Sequence, residues 1–454
     1  MQFKDGTLLV QGPENTLASL RDYLVSDERV NGYRAEARHY AAIVTWLHQK
    51  RIPYEDEARA FSPVRLTLGQ TLKPRDYQQE AISCWQDVNR RGVIVLPTGS
   101  GKSFVAQLAI AATERPTLVV VPTIDLMQQW ATQLEKAFQL PVGMLGGGSR
   151  EIEALTVSTY DSAALMVEFI GNRFGLLIVD ECHHLPSPTN RQVALMSIAP
   201  FRLGLTATPE RQDDGEQVIY DLLGPLCFRR DVDEMEGRFL SPYQTEQIEL
   251  NLDDDEQMSY EMHRQTYINF IRAHQINFSQ PGGWARFIGL TSRMPGGREA
   301  FNSYLEQRRL ARSGRAKFRE IWRLFGLHAG ERILIFTADN DTAYAIGKRF
   351  LLPVLTHHTK AKERKAFLEA FRAGTYPILV TSKVLNEGID VPEASVGIVV
   401  SGSGSTREHV QRLGRILRPR EGKQAVLYEL VSMGTSESYV SERRRQHRAY
   451  QRSH

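Results

Sequence analysis

The sequence predicts an α/β protein built on two parallel sheets, and three observations carry the prediction. Short, near-continuously apolar runs rich in β-branched residues recur in two separate stretches of the chain. Segments of helix length separate the runs. Between the two stretches the alternation stops, and charge and turn residues change character. Strands read this way when helices cover both faces of a parallel sheet, because neither side then meets water. The first stretch holds GVIVL (92–96), TLVVV (117–121), LTVST (155–159), GLLIVD (175–180) and RLGLTA (202–207). The second holds RILIFT (332–337), PILVT (377–381), VGIVVSG (396–402) and AVLYELV (425–431).

The remaining segments read differently. Residues 33–52 have a helical period that puts Tyr40, Ile43, Val44 and Leu47 on one side. The middle insertion opens with NLDDDEQMSYEMHRQTYINFIRA, an acidic first turn followed by apolar spacing, which marks a helix start. It then passes through SQPGG and MPGG, two turn-rich breaks. A chain of 454 residues exceeds one ordinary core, so several domains are expected.

Composition bounds the function. No run approaches the ~18 consecutive apolar residues of a membrane helix, and the N-terminus lacks a basic start followed by an apolar run. No membrane partner is expected. Three cysteines without paired spacing point to a reducing compartment and away from a disulfide framework or zinc site. The net charge of +3 says little, but its distribution says more. Between Glu261 and Arg323 twelve basic residues face four acidic ones. Such an excess fits either a polyanion partner or a solvated helix face, and charge alone leaves both open.

Two stretches carry a hydrolytic signal. VLPTGSGKSF (95–104) follows an apolar run and opens a helical pattern. Gly99 and Gly101 let the backbone curl so that amide hydrogens converge on a polyphosphate. Lys102 suits the β- and γ-phosphates, and the Ser103 hydroxyl suits a magnesium position. The match is only G-x-G-K-S, and the strand–loop–helix setting supplies the rest of its specificity. LLIVDECHHL (176–185) ends an apolar run in two adjacent carboxylates. Asp180 suits magnesium, directly or through water, and Glu181 suits orientation or deprotonation of an attacking water. His183 either couples nucleotide state to its neighbours or fills a turn. Farther on, Gln411, Arg415 and Arg418 in EHVQRLGRILRP share one face of a helix. Two guanidinium groups there suit a phosphoryl transition state, and a solvated basic face is the alternative.

Taken together these motifs resemble superfamily 2 helicases, and more closely the xeroderma pigmentosum group B (XPB) helicases of compact prokaryotic type. RDYQQEA (75–81) resembles the adenine-recognition element, PTGSGKS motif I, VVPTIDLMQQW motif Ia and VSTYDS the strand-contacting element after it. DECHH resembles motif II, GLTATPER motif III, LNEGIDVPEA motif V and QRLGRILRP motif VI. The resemblance implies two RecA-like parallel-sheet domains with ATP between them and DNA across them. It implies a small N-terminal α/β damage-recognition-like domain over 1–68, the first helicase domain over 69–240, a basic thumb-like helical insertion over 241–312 and the second helicase domain over 313–454. Nucleotide and magnesium contacts fall on Arg75, Gln78, Pro97, Thr98, Gly99, Ser100, Gly101, Lys102, Ser103, Asp180, Gly388 and Asp390. Catalysis falls on Lys102, Asp180, Glu181, Gln411, Arg415 and Arg418. Thr123, Thr159, Thr381 and Ser382 become phosphate contacts along one strand.

The function so implied is an ATP- and Mg2+-dependent DNA helicase or duplex translocase of a nucleotide-excision-repair type, with 3'-5' polarity. Its partners would be duplex, forked or single-stranded DNA and a structure-specific nuclease. It would act as a monomer in the cytoplasm, at the nucleoid of a prokaryote. An RNA helicase is the competing enzyme, because the D-E-x-H pattern is shared, and a non-catalytic nucleic-acid clamp is the competing non-enzyme. One departure stands out in TATPERQDDG (206–215). XPB helicases carry an Arg-Glu-Asp element here, associated with strand opening, whereas this chain has Arg211, Gln212 and Asp213. A neutral amide replaces one carboxylate, and Asp214 is placed to restore the charge one residue later.

Overall fold

A computed structural model describes residues 1–30, 32–69, 73–209, 215–235, 243–278, 280, 282–382, 394–401 and 425–437. Met1–Glu234 form one compact unit, and the described residues from Met235 on belong to a second.

The first unit contains two sheets. A small antiparallel sheet takes β1 (Gln2–Lys4), β2 (Thr7–Val10), β3 (Val25–Asp27) and β4 (Gly32–Glu36) in the order β1-β2-β4-β3. The helix Tyr40–Gln49 packs on it through Tyr40, Ile43 and Leu47, all buried, while Val44 is partly buried. The helical period read over 33–52 therefore holds only from Tyr40. Residues 33–36 are drawn into β4, where ladder pairing to β2 and β3 and the Arg34 Nε–Asp27 Oδ2 contact at 2.7 Å outweigh the local pattern. This sheet is fastened to its neighbour in the unit by Asn172 Nδ2 donating to the Ala58 carbonyl at 2.9 Å.

The larger sheet takes β5 (Arg91–Val95), β6 (Thr117–Val121), β7 (Val142–Gly146), β8 (Ser149–Arg150), β9 (Leu155–Thr159), β10 (Leu176–Asp180), β11 (Phe201–Thr206) and β12 (Leu226–Arg229). Their order is β12-β5-β11-β10-β6-β9-β7-β8, parallel throughout except for the β7–β8 hairpin. Every residue of β6, β9 and β10 is buried, which is what a sheet covered on both faces demands.

Several buried residues are polar or charged, and Arg202 is the largest of them in this unit. Arg202 on β11 is fully buried, and its guanidinium donates to the carbonyls of Ser197 (2.8 Å), Ala199 (3.2 Å) and Leu222 (2.7 Å). Trp85 Nε1 in turn donates to the Arg202 carbonyl at 2.9 Å. Burial pulls its pKa well below the usual arginine range. Arg202→Met is expected to leave three buried carbonyls without donors and to lower the unfolding free energy by about 2–4 kcal/mol. Urea unfolding followed by circular dichroism reads this, and an unchanged midpoint would show that the network contributes nothing.

The second unit has one parallel sheet. Its strands are β13 (Tyr243–Leu250), β14 (Ile333–Phe336), β15 (Val354–Leu355), β16 (Ile378–Thr381), β17 (Val396–Val399) and β18 (Ala425–Ser432), in the order β13-β18-β17-β14-β16-β15. Between β13 and β14 lie the helices Asp254–Ala273, Gly283–Thr291, Gly297–Ser313 and Arg315–Leu327. Tyr260 meets Leu310 and Ala311 in one apolar cluster, and Phe270 meets Ala300 in another, so the two long helices run antiparallel. The turn after β18 ties these helices to the sheet. Ser432 Oγ donates to the Ala311 carbonyl at 2.7 Å, the Ser436 amide donates to the Tyr260 hydroxyl at 3.0 Å, and Lys317 Nζ, itself buried, reaches Glu437 and the Val400 carbonyl.

The basic excess over 261–323 is smaller in space than in sequence. Arg309 pairs with Glu306, Arg312 with Asp339, Arg315 and Arg319 with Asp253, Lys317 with Glu437, and Arg323 with Glu320. Most of those carboxylates lie outside the counted window. Arg264, Arg272, Arg286, Arg293, Arg298 and Arg308 have no carboxylate partner among the described residues.

Candidate active site

Parallel strands place their C-terminal ends along one edge of the sheet, and ligands of open α/β sheets bind at such edges. In the first unit β11 lies between β5 and β10; β5 and β10 run into the two stretches of the hydrolytic signal, and β11 runs into Thr206–Thr208. Beyond β5 the loop Pro97–Gly101 turns through Gly99 (φ 84°) and Gly101 (φ 86°) into the helix Lys102–Thr113. Both angles lie in the left-handed region that favours glycine. A Cβ at Gly101 would also stand 2.7 Å from Gln78 Nε2 and would push that amide from its place on the loop.

Gln78 braces this loop. Its Nε2 donates to the Ser100 carbonyl at 3.1 Å and its Oε1 accepts from the Arg75 amide at 3.0 Å. The Tyr77 hydroxyl donates to the same Ser100 carbonyl. Ser100 Oγ closes the turn by donating to the Pro97 carbonyl at 2.7 Å. Lys102 Nζ, partly buried, donates to the Leu96 carbonyl at 3.2 Å and has no carboxylate partner among the described residues.

At the end of β10 both carboxylates are buried. Asp180 Oδ2 accepts from Trp130 Nε1 at 2.9 Å, and its Oδ1 accepts from the Glu181 amide at 3.0 Å. The Tyr160 hydroxyl donates to the Asp180 carbonyl at 3.1 Å. Burial first, and then the neighbouring Glu181 charge, push the Asp180 carboxyl up to about 6, while Lys102 pulls the other way. A bound cation would reverse this penalty, because it favours the ionised form. Glu181 adopts φ 47°, an uncommon conformation for a residue with a side chain and one concentrated at functional sites.

His183 joins this strand end to the next. Its Nδ1 lies 3.0 Å from Thr206 Oγ1 and 3.5 Å from Glu181 Oε2. Thr206 Oγ1 also accepts from the Thr208 amide at 3.2 Å. The ring thus bridges the second carboxylate and the threonine at the end of β11.

The chemistry of the site fits a magnesium-bound polyphosphate. Thr98 Oγ1, Glu181 Oε2 and Thr208 Oγ1 are buried yet have no hydrogen-bond partner among the described residues. They follow three adjacent strands, β5, β10 and β11. Buried polar atoms without partners are costly, so a cluster of them at one sheet edge calls for a polar ligand.

The other expected contacts divide. Thr123 and Thr159 lie at the same edge, beyond β6 and at the end of β9, and their hydroxyls accept from the Leu126 (3.2 Å) and Ser162 (3.3 Å) amides as helix N-caps. Thr381 and Ser382 end β16 in the second unit, and Thr381 Oγ1 donates to the Ser382 carbonyl at 3.0 Å. Arg211, Gln212, Asp213, Gly388, Asp390, Gln411, Arg415 and Arg418 lie outside the described residues. Tyr77, Trp130 and Tyr160 are the supporting residues that sequence reading missed. Each lies within a stretch quoted above, RDYQQEA, VVPTIDLMQQW or VSTYDS, but was given no role of its own there.

Three family models match the chain. The type III restriction enzyme res subunit model covers 71–211, the ERCC3/RAD25/XPB C-terminal helicase model covers 300–452, and the XPB damage recognition domain model covers 1–58. A DNA 3'-5' translocase XPB2 of Sulfurisphaera tokodaii is 38% identical over 422 residues, spanning 93% of this chain and 95% of its own length. The chain belongs to the XPB helicase family.

Another XPB relative, the DNA 3'-5' helicase XPB of Mycobacterium tuberculosis, is 31% identical over 82% of this chain. The matched region spans 63% of that protein's length. Among solved structures, the Pyrococcus furiosus Hef helicase domain aligns with a TM-score of 0.57 at 18% identity, covering 83% of this chain and 99% of its own. Dbp5 of S. cerevisiae, bound to RNA and ADP BeF3, aligns with a TM-score of 0.57 at 15% identity, covering 83% and 88%. At such identities these likenesses speak for the fold alone: the XPB chain is α/β, with RecA-like parallel-sheet domains and a small N-terminal domain.

Proposed function

We propose that the chain is an ATP-dependent DNA helicase or double-stranded DNA translocase of DNA repair, with 3'-5' polarity. The observation that carries this is the joining, at one sheet edge of an XPB-family chain, of a left-handed glycine loop, Lys102 and the buried Asp180–Glu181 pair. The same pair weighs against a non-catalytic clamp, which has no use for two buried carboxylates. Family membership weighs against the RNA helicase.

The residues divide the work. Backbone amides of Gly99 to Ser103 and the Lys102 ammonium hold the polyphosphate, with Arg75 and Gln78 toward the adenine and Pro97 and Thr98 shaping the loop. Ser103 and Asp180 would hold Mg2+, which offsets charge on the transferred phosphoryl group. Glu181 orients a water and accepts its proton, and its approach to His183 carries the event to Thr206. For Gln411, Arg415 and Arg418 we propose, on sequence alone, stabilisation of the developing negative charge, and for Gly388 and Asp390 a link to the nucleotide. Thr123, Thr159, Thr381 and Ser382 would contact phosphates without reading sequence.

The wider proposals follow the family. Residues 1–68 would form the damage-recognition-like domain, 69–240 and 313–454 the two helicase domains, and 241–312 the thumb-like insertion. DNA in duplex, forked or single-stranded form is the substrate, a structure-specific nuclease the partner, a monomer the working form and the nucleoid its place. Among the described residues no helix is long and apolar enough to cross a membrane.

ATP-driven opening of a fork, run beside displacement of a third strand from a duplex, tests the proposal. Either activity supports it, and the absence of both in an ATP-hydrolysing preparation contradicts it. A finer prediction concerns the departure at Gln212. Gln212→Glu is expected to leave ATP hydrolysis unchanged and to raise fork opening per ATP consumed, because a restored carboxylate repels nearby DNA phosphates. Equal opening per ATP in the two proteins would show that the substitution has no mechanical consequence.

A further inference from the structure

We propose that Trp130 and Tyr160 are positioning residues for ATP hydrolysis. Trp130 holds the Asp180 carboxylate for the metal, Tyr160 holds the turn at Glu181, and both link that hold to the candidate phosphate contacts Thr123 and Thr159. The proposal rests on the helicase reading for its ligands, but every residue in it belongs to the first unit. Trp130 lies in the helix Ile124–Phe138, and Tyr160 opens the helix Tyr160–Ile170. Both side chains are buried.

Each side chain meets the carboxylate segment through its one polar atom. A buried indole N–H needs an acceptor, and Trp85 in the same unit finds an ordinary one, the Arg202 carbonyl at 2.9 Å. Trp130 Nε1 instead donates to Asp180 Oδ2 at 2.9 Å, on the carboxylate suited to magnesium. The Glu181 amide donates to Oδ1 at 3.0 Å, so the carboxylate cannot turn without breaking a contact. Hydrogen bonds of this kind are how proteins orient a metal-binding carboxylate. The Tyr160 hydroxyl lies 3.1 Å from the Asp180 carbonyl and 3.3 Å from the Glu181 carbonyl. Those two carbonyls flank the left-handed residue Glu181 (φ 47°), and such a conformation persists only where its surroundings impose it. Tyr160 thus acts on the Glu181 side chain through the backbone that aims it.

The same two helices begin at candidate phosphate contacts. Thr159 caps the helix that Tyr160 opens, so the two residues are neighbours in the chain. Thr123 caps the other helix, and Trp130 follows about two turns later, about 10 Å along the axis. One loop covers both starts. A Cβ at Gly146 would stand 3.1 Å from Thr159 Oγ1 and 3.2 Å from Met127 Sδ, and one at Gly147 would stand 3.2 Å from Ile124. Backbone packed this closely leaves neither helix start free to shift alone. A phosphate held at these starts therefore locks the donors to Asp180 and Glu181 in place. By linkage, a magnesium–nucleotide complex strengthens the hold on DNA by the same factor.

The test uses the full chain and substitutions that each keep a ring. Trp130→Phe removes the N–H alone. The Mg2+ concentration for half-maximal binding of a fluorescent ATP analogue should rise by about tenfold, the usual cost of losing a hydrogen bond that supports a metal ligand. Trp130→His returns a ring N–H, because its five-membered ring superposes on that of the indole, and should recover most of the loss. Coupling is read by DNA binding without turnover. In the unsubstituted chain a non-hydrolysed ATP analogue with Mg2+ should tighten binding of a labelled duplex by about fivefold or more, and in Trp130→Phe with Tyr160→Phe that factor should approach one. The proposal is overturned if Trp130→Phe leaves the Mg2+ dependence unchanged, if Trp130→His does no better than Trp130→Phe, or if the coupling factor survives the double substitution. A lower unfolding midpoint beside an unchanged Mg2+ dependence would assign both residues to packing alone. Failure of the helicase reading would look different: the unsubstituted chain would bind no DNA, while Trp130→Phe still raised the Mg2+ requirement.

Discussion

Glu181→Gln should lower ATP turnover by about 10²–10⁴-fold, the usual share of a positioned general base, while leaving nucleotide binding nearly intact. Glutamine keeps the shape of the side chain and its capacity to accept a hydrogen bond, but it cannot take a proton. Its neutral amide also removes the charge that helps push the Asp180 carboxyl up to about 6. Asp180 would then ionise more readily, so metal-dependent binding should hold or improve. The left-handed backbone at Glu181 (φ 47°) suits glutamine no worse than glutamate, so the fold should be unaffected. Stopped turnover with retained binding of a fluorescent ATP analogue is the expected pair of results. Full turnover would remove Glu181 from the chemistry.

Lys102→Ala should fail in a different way. The ammonium lies at the mouth of the glycine loop, where it donates to the Leu96 carbonyl at 3.2 Å. That contact contributes little to stability, because Leu96 lies in a loop whose turn is closed by Ser100 and braced by Gln78. The missing charge should therefore be felt by the ligand and not by the fold. Turnover is expected to fall by at least about 10²-fold, the cost of losing one preorganised charge from a phosphoryl site. Unlike Glu181→Gln, this change should weaken nucleotide binding as well, while the unfolding midpoint stays in place. Retained turnover would mean that the loop is not the hydrolytic site and would revive the clamp reading. The two variants thus separate holding the nucleotide from splitting it.

What the sequence made legible follows from burial. The runs at 117–121, 155–159 and 176–180 became strands buried at every residue, which favours apolar side chains or hydroxyls that pair locally, as Thr156 and Ser158 do. Strands with fewer apolar constraints were missed. Leu226–Arg229 and Tyr243–Leu250 are edge strands, and YQTEQIEL spends most of its length on polar side chains. Val142–Gly146 contains two glycines and reads as a loop. Residues 33–36 show the opposite error, a helical period overruled by sheet pairing.

The site was legible to the extent that its parts are contiguous. Gly99 to Ser103 and Asp180–Glu181 announce themselves because a phosphate loop and a carboxylate pair need fixed local spacing. Trp130, which donates to Asp180 from fifty residues away, has no such spacing to reveal it. Charge was the least transferable signal. Half of the basic residues counted over 261–323 are paired, largely by acids such as Asp253, Asp339 and Glu437 that a linear window excludes.

The central claim is that ATP hydrolysis at the Lys102–Asp180–Glu181 site is coupled to DNA. The most direct test measures hydrolysis by the purified chain with single-stranded DNA, duplex, fork and RNA in parallel, with Mg2+ throughout. The account predicts stimulation by one or more of the DNA substrates, declining as salt rises, and little by RNA. Stimulation by RNA alone, or turnover indifferent to every nucleic acid, would contradict it.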